Sequence, residues 1–171
     1  AGPTMNSPAP KDITATLSAY VAGALASQPP PAHREMARLH LLDTLAATVA
    51  CRDLEPAVLA RAYATSRSGA CGTTTMLATS ERAGLVDAAF ASAMTGHAAE
   101  INDFIPSAFV QPGPAVVSVA LAIAEARGAS GADLLRAVIA GYELAGRVPK
   151  ALGLANLRRA GIANHGIGPL F

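Results

Sequence analysis

The sequence has no tryptophan, and aromatic residues make up only 4% of it although hydrophobic residues make up 51%. A core built on large rings is excluded, so the apolar mass must come from aliphatic and small side chains. An excess of charge of one sign is missing as well: 13 Lys and Arg stand against 12 Asp and Glu, a net of +1. That balance makes no field to attract a polyanion, and no basic stripe with interleaved aromatics occurs, which argues against nucleic-acid binding. The apolar run 115–124 contains Ser118 and stops at Glu125, well short of the ~20 residues that span a bilayer. Only two cysteines occur, Cys51 and Cys71. They are too few for a structural zinc site and are read as small buried hydrophobes in a reducing, cytoplasmic setting.

What the sequence does have is alanine, the strongest helix former and the one that leaves least side chain between packed helices. The pattern predicts an all-α, bundle-like domain. Residues 12–27 read as a first helix with Asp12 as N-cap and Ile13, Leu17, Tyr20, Val21 and Leu25 on one face. Pro31 opens a second helix to about Cys51, in which Met36, Leu39, Leu42, Leu45 (or Ala46) and Val49 keep the helical period. Within it Asp43 is expected to be buried as a polar anchor, and His33 and His40 to be partly buried structural residues.

A third helix covers about 55–67, and 73–80 is at most a short extended or hairpin segment. Helix returns over 83–99, followed by a loop at 105–114 held by Pro106, Pro112 and Pro114. The helix 115–127 is expected to be buried on nearly all sides, with Gly128 closing it. Ser130 and Asp133 then form a capping box for a helix that runs to Pro149. Residues 12–171 are thus expected to form one helical domain. Residues 1–11 are expected to be a disordered tail whose first four residues are an appended remnant. The run 166–171 reads as the start of another helix, so the domain is expected to be the N-terminal part of a larger catalytic unit, split or truncated.

Two polar islands stand out. In 97–103, His97, Glu100 and Asp103 are spaced so that a continuing helix would put the first two on one face and the third about 60° away. Asn102 sits beside Asp103. A carboxylate held next to an imidazole serves as base for a carbon acid or orients a substrate hydroxyl. The plain alternative is a polar helix end that caps the following loop. The same groups ligate divalent cations in other settings, but three ligands from one short segment is a common chance pattern, and no metal is assigned. After Gln111-Pro112-Gly113-Pro114, the N–H groups of Gly113, Ala115 and Val116 are candidates to receive a substrate carboxylate; a rigid connector is the alternative. In the second island, Arg158 and Arg159 suit carboxylates and His165 exchanges protons near neutral pH. A solvated loop is the alternative there.

These islands come in a recognisable order. Leu41-Leu42-Asp43-Thr44-Leu45-Ala46 resembles the LLDtlg stretch near the start of MmgE/PrpD-type proteins. Ala88-Ala89-Phe90 with Gly96-His97-Ala98-Ala99-Glu100-Ile101-Asn102-Asp103 is similar to their AAf…nG…H…(D/E)-x-(D/N)-D segment. The helix pair 120–125 and 131–147 carries the most specific likeness, and the whole covers most of residues 13–171. The resemblance implies a cofactor-free family of 2-methylcitrate dehydratases, cis-aconitate decarboxylases and iminodisuccinate epimerases. Its members have a large helical domain and a smaller α/β lid, form dimers, and share proton transfer at a carbon beside a carboxylate.

The same resemblance places the active-site acid on Glu100 and the following acidic pair on Asn102 and Asp103. Where the family carries a His before Pro, this chain has Gln111, which hydrogen-bonds but does not exchange a proton near neutral pH. A second family His follows an Arg-Gly-Phe run; the corresponding place here is near Ile162, with His165 three residues on. The expected function is a lyase or isomerase, or a subunit of one, acting on a small carboxylated molecule without metal or cofactor. Glu100, Asp103 and His165 are then catalytic, and His97, Asn102, Gln111 and Arg159 bind substrate. The alternative is a non-catalytic scaffold or partner subunit. The apolar helices predict a homodimer, or a heteromer with a chain that carries the rest of the fold.

Overall fold

Small side chains set the distances between the helices. The computed structural model describes residues 12–68 and 72–163, and among them seven helices and one two-strand hairpin make an all-α domain. In chain order these are α1 (Ile13–Ala26), α2 (Pro31–Cys51), α3 (Glu55–Ser68), β1 (Thr74–Thr75), β2 (Arg82–Ala83), α4 (Leu85–His97), α5 (Gly113–Arg127), α6 (Gly131–Leu152) and α7 (Leu154–Arg159). The central cluster joins Ala60 and Ala64 of α3, Ala88 and Ala91 of α4, Ala83 of β2, and Met76 from the turn between the strands. Alanine faces let α3 and α4 pack closely, and the flexible, fully buried Met76 fills the gap beneath the hairpin.

The α2–α4 crossing is equally tight: a Cβ on Gly96 would stand 3.0 Å from Thr48 Oγ1. Hydroxyls in these interfaces are satisfied within their own helices. Thr48 Oγ1 donates to Thr44 O, Ser92 Oγ to Ala88 O and Thr95 Oγ1 to Ala91 O, at 2.7, 2.7 and 2.8 Å. These three hydroxyls therefore line the seams with their donors satisfied, whereas Thr44 and Ser118 are buried there without a well-formed hydrogen bond.

Local signals in the chain act as expected. Asp12 caps α1 by accepting from Ala15 N at 3.1 Å. Segment 73–80 belongs to an antiparallel hairpin pairing Thr74 with Ala83 and Thr75 with Arg82. Glu125 of α5 ties that hairpin down, accepting from Thr75 N, Thr75 Oγ1 and Arg82 Nη2, each at 2.8 Å. Gly128 takes the left-handed conformation that ends α5, and Ser130 with Asp133 forms a complete capping box on α6. Cys51 is buried.

Which face is buried differs from expectation. On α2 the large apolar residues Met36, Leu39, Leu42 and Val49 are exposed, while Ala37, Thr44, Ala47, Thr48 and Cys51 are buried. Close approach to α4 selects small residues for the inner face and turns the large ones outward. For the same reason Asp43 is exposed and Thr44 takes the inward position. His33 is exposed and His40 half-buried. α1 buries none of its residues completely, and α5 leaves Val119 and Ile123 exposed. α6 does not stop at Pro149 but passes through it to Leu152; the proline lies in the last turn, where its missing N–H costs one helical bond, and its ring is buried. Among the described residues no helix is long and apolar enough to cross a membrane. The segments 1–11 and 166–171 and Cys71 lie outside the described residues.

Candidate functional site

α4 ends six residues earlier than a helix through Asp103 would require, and the turn that ends it shapes the site. Ala98 N donates to Thr95 O at 3.3 Å and Glu100 N to His97 O at 3.0 Å, while Glu100 takes φ +52°. A left-handed backbone costs a non-glycine residue roughly 1–2 kcal/mol, so the chain stores strain here. Glu100 consequently stands exposed on the turn instead of sharing a helical face with His97.

Ile101 is exposed too, and the two side chains after it, Asn102 and Asp103, point back into the protein. Asn102, 7% exposed, donates from Nδ2 to Asp103 O at 3.3 Å, which leaves its Oδ1 facing His97 Nδ1 at 3.0 Å. That oxygen accepts only, so with the amide in this orientation Nδ1 of His97 is the donor. His97 is thus held through Nδ1, close in sequence to an exposed carboxylate.

Asp103 is the buried anchor of the segment, its side chain 6% exposed. Its Oδ1 accepts from Gly113 N at 3.0 Å, and Oδ2 lies 3.6 Å from His40 Nδ1 of α2. Glycine is required at 113 because a Cβ would collide with both Asp103 Oδ1 and Thr44 Oγ1. The His40 ring stacks on Tyr142 of α6, centroids 4.5 Å apart and planes 30° from parallel. Burial, and then the charge of Asp103, push the Tyr142 hydroxyl far above the ordinary phenol range, so it stays protonated. Thr44 Oγ1, Asp103 Oδ2 and Tyr142 OH are all buried without a well-formed hydrogen bond. Thr44 and Asp103 nevertheless both act on the acidity of the Tyr142 hydroxyl, so the three oxygens form one polar node beneath the turn.

The connection from Asp103 to α5 is pinned by a bridge between Ile105 and Val110, with Ile105 N donating to Val110 O at 2.9 Å. Gln111 is half-buried between the buried Val110 and Pro112. The start of α5 offers a carboxylate less than expected, since Gly113 N is taken by Asp103 and Val116 N donates to Pro112 O at 2.9 Å. From α7, Arg158 reaches this loop, its guanidinium 5.9 Å from the Phe109 ring centroid. Arg159 turns back along its own helix to Asn156 and to the carbonyl of Ala155. His165 lies outside the described residues.

The fold therefore links His97 to Asn102, turns the Asp103 side chain inward towards Gly113 and His40, and leaves Glu100 exposed on the same turn. It also recruits His40, Thr44 and Tyr142, which sequence reasoning did not assign to a site, and it gives the Gly113 N–H to Asp103 instead of to a substrate. Their signal was faint, because periodicity registers Tyr142 as an apolar ring in a stripe and does not see its hydroxyl. Among the described residues no group of three or more His, Cys, Asp and Glu side chains is placed to hold a metal ion. Residues 15–168 match the family model described as the MmgE/PrpD N-terminal domain. No curated protein matches the chain.

Proposed function

The chain belongs to the MmgE/PrpD family, and on that premise we propose that it forms the helical part of a cofactor-independent lyase or isomerase. The reaction moves a proton at a carbon next to a carboxylate of a small organic acid or related metabolite, in the manner of a dehydratase, decarboxylase or epimerase. The observation that carries this reading is the strained turn at Glu100, which sets a solvent-facing carboxylate three residues after an imidazole that is hydrogen-bonded to Asn102. Glu100 is the base or the orienting acid, and His97 and Asn102 hold substrate oxygens. Asp103 supports them by fixing the turn to the start of α5. Gln111 binds substrate by hydrogen bonding, Arg159 supplies positive charge for a carboxylate, and His165 is the second proton-transferring group. The protein acts in the cytoplasm as a homodimer, or as a heteromer with a chain that carries the rest of the fold.

Deuterium exchange tests this directly. The protein, alone and with a polypeptide carrying the remaining family domain, is incubated in D₂O with a panel of small di- and tricarboxylates. Proton NMR should show loss of a signal from a carbon next to a carboxylate. Removing a positioned acid or base costs about 10²–10⁴-fold, so Glu100→Gln should reduce exchange by that order. Exchange unchanged in the variant would remove Glu100 from the mechanism.

A second reading, a scaffold or partner subunit without catalysis of its own, draws on the exposed Met36, Leu39, Leu42 and Val49 of α2. An apolar stripe of that length is unusual on a free surface. Absence of exchange with every carboxylate, together with a stable oligomer in light scattering, would favour it.

A further inference from the structure

The buried node beneath the turn has a second outlet. An open groove of about 190 Å³ runs between α2 and α6, lined among others by His33, Met36, His40, Val138, Ile139 and Tyr142. None of residues 97–103 lines it, nor does Gln111, so it is distinct from the site around Glu100.

His40 joins the groove to the node. Its Nδ1 faces Asp103 Oδ2 at 3.6 Å, and its ring lies on Tyr142. A buried carboxylate 3.6 Å from one imidazole nitrogen favours the proton on that nitrogen, so that the neutral ring presents its other nitrogen as a hydrogen-bond acceptor. The stack on Tyr142 fixes the ring plane, so the direction of the Nε2 lone pair is fixed too. The His40 side chain is 31% exposed against 6% for Asp103, which places the orienting acid inside and the imidazole at the groove wall. Thr44 Oγ1 and Tyr142 OH, buried next to the carboxylate, complete its surroundings.

The walls restrict what the groove accepts. Met36, Val138 and Ile139 are aliphatic and suit a short apolar body. Asp103 and Glu143 set negative charge around the imidazole, which disfavours an anion. Glu143 is itself engaged by Arg147 and, at 3.4 Å, by the Tyr20 hydroxyl, which reduces its pull on a cation. A neutral donor remains.

We propose that His40, oriented by Asp103 and Tyr142, is the hydrogen-bond acceptor of a small-molecule site between α2 and α6 whose ligand carries a hydroxyl on a short aliphatic body. The site does not depend on the chemistry proposed at Glu100, and its test uses no carboxylate substrate.

The test is NMR on the full chain with isobutanol as probe and isobutyl methyl ether as the control that lacks a donor. At a pH where the His40 ring is neutral, imidazole ¹⁵N shifts should report it predominantly as the Nδ1–H tautomer. Isobutanol should move the Met36 methyl and His40 ring signals saturably, and the ether should not. His40→Phe keeps an aromatic ring on Tyr142 but removes Nε2, and it should weaken isobutanol binding at least tenfold. Circular dichroism and the undisturbed signals of α3 and α4 verify that this half-exposed substitution leaves the fold intact. An Nε2–H tautomer, equal shifts from alcohol and ether, no saturable shift, or undiminished binding in the folded variant would each overturn the proposal.

Discussion

Replacing Gly113 by alanine tests the central claim that the turn at 97–103 is anchored to α5 through one buried carboxylate. The added Cβ would collide with Asp103 Oδ1 and Thr44 Oγ1, groups that are themselves hemmed in by α2 and α6. Overpacking a tight site costs about 1–3 kcal/mol. Displacing Asp103 also breaks the Gly113 N–H bond to a charged, buried acceptor, worth roughly 1.5–3 kcal/mol. Alanine gives back at most about 1 kcal/mol through its helix propensity. The net expectation is a loss of about 2–5 kcal/mol, read as a lower urea midpoint at unchanged m-value.

Gly23→Ala is the matched control, because nothing lies within 4 Å of the Cβ it would add in the last turn of α1. It should gain about 0.5–1 kcal/mol. Opposite signs from the same substitution in one assay isolate the contact at Asp103 from the general effect of removing a glycine. Gly113→Ala within about 0.5 kcal/mol of the parent, the ordinary scatter of surface changes, would refute the anchoring argument.

Three further outcomes follow from particular contacts. Glu100→Gly should raise stability by about 0.5–1 kcal/mol, because it releases left-handed strain at a small entropic cost in the unfolded chain, and it should at the same time remove proton exchange; a lower melting temperature would contradict the strain. The Thr75 N–H, then its hydroxyl, and further Arg82 hold the Glu125 carboxyl below its ordinary range, so its stabilisation is present above that range and is lost as the pH falls through the depressed value. Melting temperatures should therefore separate Glu125→Gln from the parent near neutral pH and converge in acid. Met76→Ala empties the space under the hairpin and should cost about 2–5 kcal/mol in urea unfolding; a smaller loss would mean that the alanine cluster collapses to fill it.

The local features were written in the chain. Asp12, Ser130 with Asp133, Gly128 and the β-branched threonines near 74 each act through a few neighbouring residues, so their capping and turn chemistry could be read directly. The polar run 97–103 was visible for the same reason, as was the order of motifs that marks the family. The turn that follows α4 was not: it depends on Glu100 adopting a strained conformation that local propensity disfavours and that the surrounding packing must enforce.

The sequence by itself determined an all-α, alanine-rich domain, the caps that delimit its helices, the residues able to carry chemistry, and the family to which they belong. Tertiary structure decided which faces are inside. Periodicity favours the large residues Met36, Leu39, Leu42 and Val49, whereas closely spaced helices admit only small ones, so α2 buries Ala37, Thr44, Ala47, Thr48 and Cys51 instead. The same packing made Asp103 an internal anchor and left Glu100 in solvent. It also brought His40 from α2 and Tyr142 from α6 to one carboxylate. Groups so far apart in the chain share a site only because the helices between them pack closely enough for one buried charge to reach them all.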